Sequence, residues 1–292
     1  VILDLEAFLI KHMAADEKYI LQNGNMGMAL HDYYEKDRYE ASFSSIWENL
    51  RKRKLVNKSL RDIENSDLFK YSPYKELNRD QYQAIDSFVQ NWIKSLKDNK
   101  EMTTLVEGGA GTGKTVMAIY LIKLISEAIA GTIPYEEDMD PGLKCLYDNL
   151  ELLPKNLKIG FVVPMQSLRS TIKKVFKSVK GLDSNMVISP LEVPKDTYDL
   201  LIVDEAHRLR QRRALSQYPP FDKNNHLLGL GDDGTELDWI LKCSKHQILF
   251  YDSMQSVKPS DVDKEAFKKL LDLPNIYTYE LESQLRCKGG ND

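Results

Sequence analysis

Gly108-Gly109-Ala110-Gly111-Thr112-Gly113-Lys114-Thr115 is the stretch on which the reading of this chain turns. It fits G-x-x-x-x-G-K-[ST] at every fixed position, follows the β-rich Thr103-Thr104-Leu105-Val106, and opens an apolar run from Val116 to Ile125. Small residues let the backbone fold around a phosphate so that successive N–H groups point at its oxygens. The start of the following helix adds unpaired donors and partial positive charge. Gly108, Gly109, Ala110, Gly111, Thr112 and Gly113 thus form a cradle, Lys114 reaches the β- and γ-phosphates, and the Thr115 hydroxyl ligates a metal. ATP with magnesium (Mg2+) is the expected ligand pair.

Outward from this loop, short apolar runs alternate with helical stretches: Thr103–Glu107, Leu157–Val163, Met186–Ser189, Asp199–Val203 and Gln247–Tyr251. The alternation predicts an α/β fold, a mainly parallel sheet with helices on both faces. Asn78 is placed to cap a helix from about Arg79 to Leu96, with Tyr82, Ile85, Phe88, Val89 and Ile93 inward. Upstream, Leu5, Phe8 and Leu9, then Phe43, Ile46, Trp47 and Leu50, mark a small, mostly helical segment. Ser72-Pro73 breaks it, and the domain boundary is expected near there. Gly131–Pro154, with Glu136-Glu137-Asp138, reads as an acidic insertion, and a second loop surrounds Tyr218-Pro219-Pro220 through Asp232-Asp233-Gly234.

Leu200-Leu201-Ile202-Val203-Asp204-Glu205-Ala206-His207 is a buried strand ending in two carboxylates, at the sheet end where open α/β sheets bind ligands. Asp204 suits a magnesium ligand, with Thr115, and Glu205 suits the base that polarises an attacking water. Gln255 follows Gln247–Tyr251 and Arg286 follows Tyr277–Leu281. An amide at the first position suits the water or γ-phosphate, and a guanidinium at the second suits charge on the transferring group. Read from residue types alone, each is more commonly an ordinary surface side chain.

The remaining composition sets limits. The 292 residues carry a net charge of −4, so whole-chain charge gives no support for nucleic-acid binding. No apolar run approaches the roughly 20 residues needed to cross a bilayer. Three scattered cysteines (Cys145, Cys243, Cys287) form no CxxC pair, which fits a reducing cytoplasm and suggests no zinc site.

Together these motifs resemble the first motor domain of superfamily 1 helicases, RecA-like P-loop NTPases, and more closely the bacterial Schlafen-like DNA/RNA helicase domain family, over roughly Tyr71 to Asp292. Leu77-Asn78-Arg79-Asp80-Gln81 is similar to an LNxxQ motif whose glutamine reads the adenine edge, a role that falls to Gln81. Gly108–Thr115 and Asp204–Glu205 match the two Walker motifs. Asp252 to Gln255 resembles the third motif, whose glutamine senses γ-phosphate and couples it to nucleic acid. Leu281-Glu282-Ser283-Gln284-Leu285-Arg286 resembles L-E-x-x-Y-R, with leucine in the usual tyrosine's place, and its arginine touches γ-phosphate. Phe161-Val162-Val163-Pro164-Met165 stands where the strand-contacting Ia motif begins, although its sequence departs widely from it.

The N-terminal Leu3–Lys11 resembles the LExxLIK helix near the end of GIY-YIG nuclease domains, with Glu6 at the metal-binding glutamate and Gln22-Asn23-Gly24-Asn25 at the segment that follows. The GIY and YIG strands are missing here, so no cutting by this chain alone is expected. The resulting division is 1–30, the C-terminal part of such a nuclease; 31–75, a helical linker; and 76–292, the RecA-like ATPase.

Three basic clusters stand near these motifs: Arg169, Lys173, Lys177 and Lys180 at helical spacing; Arg208, Arg210, Arg212 and Arg213; and Arg51 to Lys54 with Lys58 and Arg61. The first two lie beside the ATP motifs, where a motor meets a sugar–phosphate chain, so single-stranded DNA or RNA is the expected partner. A P-loop switch acting through protein partners is the alternative; it needs Lys114, Thr115 and Asp204 but gives no task to Gln81, Gln255 or Arg286. Motors of this superfamily place ATP between two RecA-like domains. The chain ends six residues after Arg286, so the second domain is expected downstream in the full-length protein. This segment is then expected to bind ATP, hydrolyse it slowly and unwind nothing.

Overall fold

The computed structural model describes residues 2–19, 36–73, 77–133, 141–255, 258–272 and 274–282. Among these, α1 (Ile2–Asp16), α2 (Lys36–Lys52), α3 (Leu60–Asn65) and α4 (Asp67–Lys70) precede any strand. Ser59 and Ser66 cap α3 and α4, each hydroxyl accepting from a backbone N–H three residues on. Ala15, Phe43, Trp47, Val56 and Ile63 bury one shared cluster, so α1 has a core in common with the helices after it. The buried Asp16 carboxylate accepts from the N–H groups of Asn57 and Lys58 and fastens the end of α1 to the turn before α3. The expected division at residue 30 falls outside the described residues.

Asn78 then starts α5 (Arg79–Lys97) through a capping box with Gln81, and Ile85, Phe88, Val89, Trp92 and Ile93 bury its inner face. The chain continues through β1 (Met102–Gly108), α6 (Lys114–Ala130), α7 (Pro141–Glu151), β2 (Ile159–Val162), α8 (Gln166–Ser178), β3 (Val187–Ile188) and β4 (Tyr198–Val203). It ends through α9 (Pro219–Leu227), α10 (Glu236–Cys243), β5 (Ser244–Tyr251), α11 (Lys264–Leu270) and β6 (Ile276–Leu281).

The sheet is parallel in every pairing, in the order β3-β2-β4-β5-β1-β6. Successive side chains of a strand face opposite sides, and both sides are covered. Val106, Leu200, Ile202, Ile248 and Phe250 pack under α5 to α8. Leu105, Leu201, Val203, Leu249 and Tyr251 pack under α9 to α11. The fold is the α/β, RecA-like arrangement expected, preceded by the helical segment.

Two stretches read as loops contain helices. In the presumed acidic insertion, Leu143, Leu146, Tyr147 and Leu150 fall at i, i+3, i+4 and i+7 and bury α7 against α5 and α6. Its acidic part, Glu136-Glu137-Asp138, lies outside the described residues. In the second stretch, Pro219 and Pro220 sit at the first positions of α9, where a missing N–H is no loss.

The helical segment rests on the α/β core. Ile10 of α1 joins Val175 and Val179 at the end of α8 in a small buried cluster, with Leu68 and Tyr71 against it. None of the described helices is long and apolar enough to cross a membrane.

Candidate functional site

β5 lies between β1 and β4, so at about 4.8 Å per strand the tip of β4 stands roughly 10 Å from that of β1. The loop after β1 closes this gap. Gly111 and Gly113 adopt φ of +89° and +80°, the left-handed region that an added Cβ disfavours. The turn they permit starts α6 at Lys114 and sets the Thr115 hydroxyl to donate to Asp204 Oδ2 at 2.8 Å. At Gly108 a Cβ would come within 2.7 Å of Thr112 Oγ1. The phosphate loop and the acidic strand tip, 89 residues apart, therefore meet.

Lys114 is buried; its Nζ donates to the carbonyls of Gly108 (2.6 Å) and Gly109 (2.9 Å) and lies 3.7 Å from Asp252 Oδ2. Gln81 has no exposed surface. Its Oε1 accepts from the Asn78 N–H (3.0 Å) and its Nε2 donates to the Thr112 carbonyl inside the loop (2.7 Å). The carboxamide that the resemblance assigns to the adenine edge is thus turned toward the protein, where it braces the phosphate loop.

Asp204 and Glu205 are adjacent but electrostatically unlike. Asp204 is fully buried, and burial, with the charge of Glu205, pushes its carboxyl up to about 7. At Glu205 burial pushes the same way, but the hydrogen bond and field of His207, with Lys114 and Arg208, prevail and hold the carboxyl below its usual range. Neighbouring acids driven apart in this way suit different tasks. Glu205 also carries a positive φ of 49°, a conformation held by its surroundings and found at functional turns. Asp204 Oδ1 is buried with no hydrogen-bond partner among the described residues, so a cation beside Thr115 Oγ1 would satisfy an orphaned acceptor. One carboxylate and one hydroxyl suit magnesium, which keeps several waters and phosphate oxygens in its shell. No group of three or more His, Cys, Asp or Glu among the described residues makes a fuller metal cage.

A cleft of about 620 Å³ joins these groups, within the roughly 300–1,000 Å³ usual for small-molecule sites. Ala110, Gly111, Lys114 and Thr115 line one side, Glu205, Arg208 and Gln255 another, and Met165 and Leu168 of the α8 start a third.

Residues 101–292, which include the whole of this phosphate loop and strand-tip arrangement, match the family described as the Schlafen group 3 DNA/RNA helicase domain. The chain belongs to that family. No curated protein matches it. Among solved structures, PCH-2 from C. elegans is similar at 12% identity and a TM-score of 0.24, over 68% of this chain and 42% of that one, a likeness too slight to carry an argument. This Schlafen group 3 domain is accordingly a nucleic-acid helicase-related domain with a RecA-like fold.

Side chains singled out in the sequence divide into those brought to the site and those engaged elsewhere. Gln255 reaches the cleft: its Nε2 donates to Asp252 Oδ2 (3.1 Å) and its Oε1 accepts from His207 Nε2 (3.0 Å) and Arg208 Nη2 (3.1 Å). Arg286 lies outside the described residues, as do Gln22 to Asn25. Glu6 is exposed on α1. Arg169 was expected to meet nucleic acid, but its guanidinium donates to the carbonyls of Val163 and Pro164 and closes the end of β2. Arg212 pairs with Asp222, Arg51 with Glu48 and Lys58 with Glu17. Lys177, Lys180, Arg210 and Arg213 are exposed.

Sequence reasoning missed four participants. His207, to which the strand-end motif gives no task, is buried and bonds both Glu205 and Gln255. Asp252 was read only as the start of a motif, and its position opposite Lys114 is set by the β1–β5 pairing. Lys70 and Tyr71 line the cleft from beyond the expected boundary, and no pattern in the sequence points there.

Proposed function

We propose that this chain is the ATP-binding and hydrolysing motor domain of a nucleic-acid helicase or translocase. The observation that carries the reading is the 2.8 Å bond from Thr115 Oγ1 to Asp204 Oδ2, with Glu205 and Lys114 lining the same cleft. Backbone N–H groups of Gly108 to Gly113 and the start of α6 receive the phosphates, and Lys114 Nζ leaves its loop carbonyls to pair with the β- and γ-phosphates. Thr115 and Asp204 would hold magnesium, which when bound would supply Lewis acidity at the phosphate oxygens and favour the ionised form of Asp204. Glu205, the acid held in its charged form, takes the proton of the attacking water. Gln81 supports nucleotide binding through the loop carbonyl of Thr112, and Arg286 stabilises charge on the γ-phosphate.

Single-stranded DNA or RNA would cross the surface formed by Lys173, Lys177 and Lys180 of the α8 region and by Arg210 and Arg213 after β4. A second RecA-like domain, downstream in the full-length protein, is the partner suited to close the cleft. Met254, 88% exposed beside Gln255, and Met165 at the rim are apolar side chains it would cover.

The test is ATP turnover with and without single-stranded DNA or RNA in the full-length protein, wild type and Glu205→Gln. Nucleic acid should stimulate the wild type, and the variant should retain ATP binding while losing turnover. Equal rates at all nucleic-acid concentrations would remove the motor reading, and comparable loss of ATP affinity in Glu205→Gln and Lys114→Ala would remove the assigned roles.

A further inference from the structure

We propose that His207 is a positioning residue that yokes the water-activating carboxylate of Glu205 to the sensing amide of Gln255. The inference rests on the motor reading above and adds a control to that site. His207 Nε2 lies 3.0 Å from Glu205 Oε2 and 3.0 Å from Gln255 Oε1. A carboxylate oxygen only accepts. The orientation of the amide is settled by its other partners, because Arg208 Nη2 donates to the same Oε1 while the amide nitrogen points at Asp252. Nε2 therefore carries the proton and shares it between two acceptors. The opposite nitrogen, Nδ1, is buried with no partner among the described residues, so the bonds that orient the ring lie at its Nε2 edge.

The ring has little room to move. It is 1% exposed and packs edge-on against Tyr251, at a centroid distance of 6.2 Å. The loops after β4 and β5 are tied together beyond it. Val262 N–H donates to the Leu209 carbonyl (2.7 Å), Gln211 N–H donates to Ser260 (2.8 Å), and Arg208 pairs with Asp261 (3.6 Å).

A proton shared by two acceptors gives each less than a full hydrogen bond. When Gln255 turns toward a γ-phosphate, its share passes to Glu205 and fixes that carboxylate. The trigger reaches Gln255 from the other side of the site: Asp252 Oδ2 holds the amide nitrogen and also faces Lys114 Nζ. Movement of the lysine onto phosphate leaves Asp252 without its cation, which changes the hold on Gln255. Lys114, Asp252, Gln255, His207 and Glu205 thus form one continuous path from the phosphate-binding cation to the base.

The test uses the full chain with MgATP, with and without single-stranded nucleic acid, and compares His207→Phe, His207→Asn and His207→Gln. Phenylalanine keeps the volume and removes the donor. The glutamine nitrogen stands as many bonds from Cα as Nε2 does, and the asparagine nitrogen stands where Nδ1 does. His207→Phe and His207→Asn should lower kcat about tenfold or more, with KM and Kd for MgATP unchanged, and bring stimulation by nucleic acid toward one. His207→Gln should recover most of both. Wild-type kcat in His207→Phe, or a loss in all three variants that tracks KM and melting temperature, would overturn the proposal. Glu205→Gln run alongside separates the two failures: undiminished turnover in that variant sinks the motor reading itself, whereas its loss with His207→Phe unaffected sinks only the yoke.

Discussion

Replacing Gln81 by alanine removes one part-buried and one buried hydrogen bond at once, and its consequences distinguish a loop brace from a base reader. Loss of the capping-box partner at the Asn78 N–H costs about 1 kcal/mol. Loss of the donor to the buried Thr112 carbonyl costs roughly 1–3 kcal/mol, because that acceptor is left without a partner. The sum, about 2–4 kcal/mol, corresponds to a fall in Tm of roughly 4–8 °C at the ~2 °C per kcal/mol suited to a large domain. Thr112 belongs to the phosphate loop, so its loosening weakens every nucleoside triphosphate alike. Thermal unfolding and fluorescence titration with ATP and GTP read both effects. The expected result is a lower Tm with ATP and GTP affinities reduced by the same factor. Unchanged Tm with selective loss of ATP over GTP would refute the bracing role and return Gln81 to the adenine edge. Gln81→Glu is the sharper variant, since it keeps the capping oxygen and sets a second oxygen against the Thr112 carbonyl. It should weaken nucleotide binding while leaving the start of α5 intact.

Glu236 is 3% exposed at the start of α10, and burial raises its carboxyl to about 7 despite the Arg210 N–H bonded to its Oε2. A folded-state value above the unfolded one means the native chain binds more protons, so this group's contribution to stability should fall as pH rises from about 4.5 to about 7. Denaturant unfolding across that window should show a shallower decline in Glu236→Gln, and identical pH slopes would contradict the assignment. Arg169→Ala should lower stability by about 1–3 kcal/mol through the Val163 and Pro164 carbonyls it abandons. Lys177→Ala should leave stability unchanged and reduce nucleic-acid affinity and its salt slope; the opposite pattern would exchange their roles.

Much of the fold was legible because its signals are local. Asn78 with Gln81 three residues on announces a capped helix, and the observed α5 runs Arg79–Lys97 against an expected Arg79–Leu96. Apolar runs buried on both faces mark parallel strands, and each expected strand is present in the sheet within a few residues of its expected limits. The helix α7 was missed because its i, i+3, i+4, i+7 stripe begins just after an acidic, proline-bounded stretch that resembles a loop.

By itself the sequence determined the chemistry on offer: a glycine-rich phosphate loop, a lysine and a hydroxyl at a helix start, and two acids at a strand end. These are read from spacing along the chain, because backbone turns and helix starts depend on neighbouring residues. The tertiary structure alone decided which of these groups meet and which polar groups are already engaged. Placing β5 between β1 and β4 brings Asp252 opposite Lys114 and Gln255 beside His207. The same packing turns Gln81 into the phosphate loop. Hydrogen-bond partners 31 residues apart, as Gln81 and Thr112 are, or 48 apart, as His207 and Gln255 are, are set by strand order and burial, and no local pattern encodes them.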